Sequence, residues 1–95
     1  PSGKMAAIIV SGNNIAKVRE QCSIMFVSIP KISELEIYGP APAPLSKLKG
    51  RHRQRFLIHD KKARNMQKIV NAWLKNSKSL SSVNISVDID PFSFV

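Results

Sequence analysis

Five cations stand at every second position of one stretch: Lys47, Lys49, Arg51, Arg53 and Arg55. On an extended strand that spacing sends all five side chains to one side, whereas a helix would scatter them. The chemistry implied is anion binding, a cationic rail for backbone phosphates or acidic side chains. The basic run continues into Lys61, Lys62 and Arg64, interrupted by Asp60. Asp60 has the side chain of a helix N-cap, which places Lys61 and Lys62 in the predicted first helical turn. A cation there opposes the macrodipole, at a cost of about 0.3 to 1 kcal/mol each. The free N–H groups of that turn favour an anion, so lysines suit a phosphate or carboxylate held between them. The bland alternative is a solvated edge strand whose charges prevent edge-to-edge pairing.

Other chemistry finds little support in the residues. There is neither a G-x-x-x-x-G-K-[ST] loop nor a G-x-G-x-x-G turn to cradle nucleotide phosphates. His52 and His59 are the two histidines, and neither has metal or catalytic spacing, so both read as surface residues of a basic strand. Asp88 and Asp90 share a strand face like paired catalytic carboxylates. No partner acid, base or ligand lies near them in sequence, so they read as solvent-facing groups or partners of neighbouring cations. Cys22 is the single cysteine, which rules out an intrachain disulfide and a cysteine zinc cluster. It lies on an apolar helical stripe as a small core residue. Trp73 falls on a second stripe and reads as a core anchor rather than a stacking platform. The chain is therefore expected to have no catalytic residue, metal site or cofactor and not to act alone as an enzyme.

With 95 residues, 15 Lys and Arg against 6 Asp and Glu, and a net charge of +9, the expectation is one small domain over residues 1–95 that is drawn to a polyanion. The apolar run Met5 to Val10 is far short of the ~20 residues of a membrane span and lacks a signal-peptide layout. A cytoplasmic setting without membrane partners follows.

The elements that must position the cations come from hydrophobic periodicity. Lys4 to Ser11 reads as a buried strand ending at Gly12. Asn13 or Asn14 caps a helix with the stripe Ile15, Val18, Cys22, Met25 and Phe26, ended by Pro30. Glu34 to Tyr38 alternates as a second strand and Arg51 to His59 forms a third. Between them Gly39 to Pro44 takes an extended, polyproline-like path as a rigid connection. A second helix carries Met66, Ile69, Val70, Trp73 and Leu74; Asn76 to Ser82 is a loop; and Val83 to Ile89 is a cleanly alternating strand closed by Pro91. The order βαββαβ predicts an α+β, ferredoxin-like sandwich with two helices packed on one face of a four-stranded, mainly antiparallel sheet.

Three ordered blocks carry a resemblance: PSGKMAAIIVSG (Pro1 to Gly12), GPAPAPLSKLKGRHRQRFLI (Gly39 to Ile58) and VDIDPFSF (Val87 to Phe94). Together they resemble the C-terminal domain of the bacterial primosomal protein N′ family, the replication-restart helicases, over essentially the whole chain. His52 stands where the central block often has an aromatic.

The resemblance implies a fragment of an ATP-dependent 3′-to-5′ DNA helicase that restarts stalled forks. ATP, magnesium and zinc would belong to the missing part. It also implies a fold similar to a small-subunit ribosomal protein and a role in DNA binding beside a site for the acidic tail of single-stranded DNA-binding protein. At that site the family uses a basic residue and a glutamine one turn apart at the start of the second helix. Gln67 matches the glutamine; Ala63 occupies the basic position, which passes the role to Arg64 or Lys62. The expectation is a nucleoid-associated accessory domain that binds forked or branched DNA through Lys47, Lys49, Arg51, Arg53 and Arg55 without base readout. Its other partners would be primosome proteins and the helicase core. The alternative is a docking module that receives the acidic tail on Lys61, Lys62, Arg64 and Gln67. An RNA-binding ribosomal-type domain, which fold and charge alone would allow, is set aside on the three blocks.

Overall fold

The computed structural model describes residues 3–90. Ile- and Val-rich Lys4–Gly12 forms β1, with Ala6, Ile8 and Val10 fully buried on one face. The chain then turns into α1, Ile15–Val27, where the Asn14 side chain accepts the N–H groups of Ala16 and Lys17 at 2.9 and 3.3 Å. This satisfies two donors that a helix start leaves without intrahelical partners. Strands β2, Leu35–Leu48, and β3, Arg51–Asp60, form a long hairpin; α2, Met66–Lys75, and β4, Val83–Ile89, complete the order βαββαβ. The sheet runs β2-β3-β1-β4 with every neighbouring pair antiparallel. Both helices cover one face, as the α+β expectation requires.

Alternation on β3 decides which residues meet the helices. Phe56, Ile58 and Asp60 are buried, and Arg51, Arg53, Arg55, Leu57 and His59 lie on the opposite, open face. Between sheet and helices, Val18, Cys22 and Met25 of α1 and Met66, Val70 and Trp73 of α2 close over β1 and β3. Trp73 stands edge-on to Phe56, ring centroids 5.1 Å apart at 79°, and its indole N–H donates to the Met25 carbonyl at 2.9 Å. It is a core anchor, as its place on the stripe predicts. Burial pushes the Cys22 thiol up to about 11, so it stays protonated and unreactive at neutral pH.

The structure corrects several expectations. Phe26 does not join the core and is 55% exposed, while Gln21 is fully buried in the stripe. The Gln21 amide donates to the Lys78 carbonyl at 2.9 Å and accepts the Leu80 N–H at 2.8 Å, tying the loop before β4 to α1. The proline segment is no separate connection but the middle of β2, an edge strand where a missing N–H costs no ladder bond. Asp60 does not cap α2; Asn65 does, accepting from the Lys68 N–H at 3.2 Å. Lys61 and Lys62 therefore precede the helix, and the macrodipole no longer bears on them. Pro91 and the end of the VDIDPFSF block lie outside the described residues.

Candidate nucleic-acid interface

Rather than occupying one strand, the basic ladder folds over the β2–β3 hairpin. Leu48 pairs with Arg51 across the two-residue turn Lys49–Gly50, whose φ values of 52° and 79° are both positive. Positive φ at both central positions is the primed turn geometry that matches the twist of paired strands. Lys49 thus sits at the hairpin tip, and the chain reverses in the middle of the ladder. Lys47 pairs with His52, so its position has the helix-side parity of Phe56 and Ile58. Arg51, Arg53 and Arg55 share the open face. The single rail expected from spacing becomes a cationic tip with three arginines behind it on one face.

These cations differ in how far the fold already uses them. Between Pro42 and Lys47 the pairing shifts, leaving Ala43 to Ser46 as a bulge opposite Arg53. The Arg53 guanidinium donates into that bulge, to the Pro44 carbonyl and to the Leu45 carbonyl at 3.3 Å. Arg51 donates to the Ser11 hydroxyl at 3.3 Å. Lys47, Lys49 and Arg55 make no hydrogen bond or ion pair among the described residues. Arg53 is thus part of the hairpin's own structure, and these three are available to an anion.

Gly39 sets the other irregularity of β2. The register shifts between Tyr38 and Ala41, the Gly39–Pro40 peptide is cis, and Gly39 has φ of 114°. A Cβ on Gly39 would fall 2.5 Å from the Arg55 carbonyl oxygen. The bulge leaves Tyr38 opposite Leu57 and Ala41 opposite Arg55, so the open face continues across both strands.

At the end of that face the Tyr38 hydroxyl donates to Glu36 at 2.9 Å, Lys61 Nζ lies 3.4 Å from Glu36 and His59 Nδ1 lies 3.5 Å from it. The Tyr38 hydrogen bond, with Lys61 and His59 adding to it, holds the Glu36 carboxyl below its usual value. The same bond pushes the phenol up.

The basic segment after β3 is organised by Asp60. Its fully buried carboxylate accepts the backbone N–H groups of Lys62 and Arg64 at 3.1 and 2.8 Å, and Arg64 Nη2 at 2.7 Å. Arg64 Nη2 also donates to the Ser33 carbonyl at 2.6 Å. The Arg64 hydrogen bonds hold the Asp60 carboxyl at about 2 against the opposing effect of burial. Of the residues expected to receive an acidic tail, Lys61 is paired with Glu36 and Arg64 with Asp60, whereas the exposed Lys62 side chain makes no hydrogen bond or ion pair among the described residues. Gln67 is the second residue of α2 and donates to the Asn71 side chain at 3.1 Å. The structure gathers these residues at the far end of β3 from the hairpin tip.

Asp88 is exposed on β4, and Asp90 ties the strand end to Met5 through its backbone N–H at 2.7 Å. No group of three or more His, Cys, Asp or Glu that could hold a metal occurs among the described residues, nor is any described helix long and apolar enough to cross a membrane. A groove of about 620 Å³ between α1 and the hairpin is lined by Cys22, Phe26, Val27 and Pro40, with Arg19 and Gln54 also on its wall.

Fold and interface together define a class: a split-βαβ α+β domain with a basic hairpin and an open, arginine-bearing sheet face. Residues 1–92 match the family described as "Primosomal protein N C-terminal domain", and the chain belongs to that family. It is 40% identical over 94 residues to a protein of Rickettsia felis named "Replication restart protein PriA", and 37% identical over 94 residues to the protein of that name in Rickettsia typhi. Each alignment covers 99% of this chain and 14% of the relative, so the chain spans about one seventh of the length of the curated relatives it matches.

Proposed function

We propose that this chain is an accessory DNA-binding domain of a replication-restart helicase and grips backbone phosphates without reading base sequence. The observation that carries the reading is that Lys47, Lys49 and Arg55 are held on the paired β2–β3 hairpin yet unpaired among the described residues. Unpaired cations on a preorganised element bind phosphate without first breaking an internal contact. The name of the longer relatives supports the setting, replication restart, and branched or forked DNA is the substrate proposed for it. ATP, magnesium and zinc, together with helicase activity and primosome partners, are assigned in this reading to the remainder of a longer protein in the cytoplasm, at the nucleoid.

Salt titration of forked-DNA binding tests the claim. Affinity should fall with a log–log slope of about 0.9 per duplex phosphate neutralised. The triple change Lys47→Ala, Lys49→Ala and Arg55→Ala should lower affinity and reduce the slope by about 2 to 3. Arg53 is left intact because it closes the bulge. An unchanged slope and affinity would sink the reading.

A second reading, docking of the acidic tail of single-stranded DNA-binding protein, is supported by the exposed Lys62, unpaired among the described residues, shortly before α2, which carries Gln67. Loss of tail-peptide binding in Lys62→Ala with DNA binding kept would favour it.

A further inference from the structure

We infer that the open face of the sheet is built for unpaired nucleotides, with Tyr38 as the platform on which a base stacks. This deepens the phosphate-binding reading and rests on it. Tyr38 is 53% exposed although it lies within β2, opposite Leu57 on β3. One row along the same face, Arg55 lies opposite Ala41 and beside Ile9 of β1. An exposed ring thus stands next to an aliphatic side chain, with a guanidinium unpaired among the described residues one row further on.

That juxtaposition is what a single strand needs. A base offers an apolar π-face for the ring, its phosphate offers a charge for the arginine, and stacking accepts any base. A duplex keeps its bases stacked on each other and presents only its backbone and groove edges to such a face. The ring is also pre-set, because its hydroxyl is held by Glu36 at 2.9 Å. Glu36 is itself faced by Lys61, 3.4 Å away, which offsets its charge where the strand would pass. Asp88, the acid within β4 on this face, pairs with Ala7 of β1 and so lies three strands from Tyr38. Arg51, Arg53 and Arg55 lead from the platform towards the hairpin tip and give the strand a direction. A peptide of carboxylates alone would match the charge but has no ring or apolar group to lay on Tyr38 beside Leu57.

The test uses the 95-residue chain with a fluorescent oligothymidine and a duplex of equal length at one salt concentration. Tyr38→Ala should weaken oligothymidine binding about tenfold or more and leave duplex binding within about twofold. Tyr38→Phe, which keeps the ring and loses only the hydroxyl that pre-sets it, should bind oligothymidine within about threefold of the wild type, far better than Tyr38→Ala. Urea midpoints for both variants separate lost binding from lost folding. Equal weakening on both nucleic acids, or no weakening on oligothymidine, would overturn the stacking inference while leaving phosphate binding by the hairpin intact. Failure of the unsubstituted chain to bind any nucleic acid would overturn both. Binding of a polyglutamate peptide in place of oligothymidine, lost in Tyr38→Ala, would reassign the face to a protein partner and also overturn the inference.

Discussion

Arg64 reaches back four residues to place Nη2 2.7 Å from Oδ1 of Asp60, whose side chain has no exposure to solvent. The pair sits where β3 ends, and the same carboxylate holds the backbone of Lys62 and Arg64. It closes the turn that leads into α2. A buried carboxylate is tolerable only with its cation and N–H donors in place.

Removing the cation should therefore cost more than removing the pair. Arg64→Ala should lower the thermal midpoint by about 10 °C or more, since it strands a buried charge. The double change Asp60→Asn with Arg64→Ala should recover part of the loss. Calorimetry of the three variants checks the order.

Acid sensitivity follows from the same residue. The folded carboxyl sits at about 2 against an ordinary value of 3.8, so the folded state holds its charge more firmly than the unfolded chain does. The stability this adds is complete above about pH 4 and is lost as pH falls through about 2. Urea midpoints across that window should fall steeply in the wild type and less so in Asp60→Asn.

Gly39 has no tolerated replacement on steric grounds. A Cβ there would press on the Arg55 carbonyl from a backbone with φ of 114°. Gly39→Ala should destabilise by more than about 1 kcal/mol. It should also shift amide resonances of Tyr38, Ala41 and Arg55 more than those of β4.

Lys49 holds a left-handed conformation at φ of 52°, which costs a residue with a Cβ about 1 kcal/mol. Lys49→Asn, which tolerates that conformation better, should raise the urea midpoint slightly. It also removes a tip cation and should weaken DNA binding. Opposite signs in the two measurements on one variant would show a residue kept for charge at the expense of the turn.

Much of the architecture was legible in local pattern. Alternation in Val83 to Ile89 and the three-four spacing of Met66, Ile69, Val70 and Trp73 predict elements correctly because each periodicity matches one backbone geometry. The limits appear where a residue's fate depends on what lies across from it. Gln21 carries no local sign of burial, because its partners, Lys78 and Leu80, are more than fifty residues away in sequence. Asp60 has the side chain of a cap, and only the return of Arg64 turns it into the anchor of a buried ion pair.

The cations show the same division. By itself the sequence determined that this domain is basic, that its charges alternate between Lys47 and Arg55, and that two helices and four strands could enclose a core; these depend on residue type and spacing alone. Tertiary structure decided that the alternation breaks at Lys49–Gly50, that Arg53 serves the fold, and that Tyr38 stands on the same face as Arg55. Those outcomes depend on strand pairing, where a reversal or a bulge reassigns side chains to faces and no spacing along one chain records the partner.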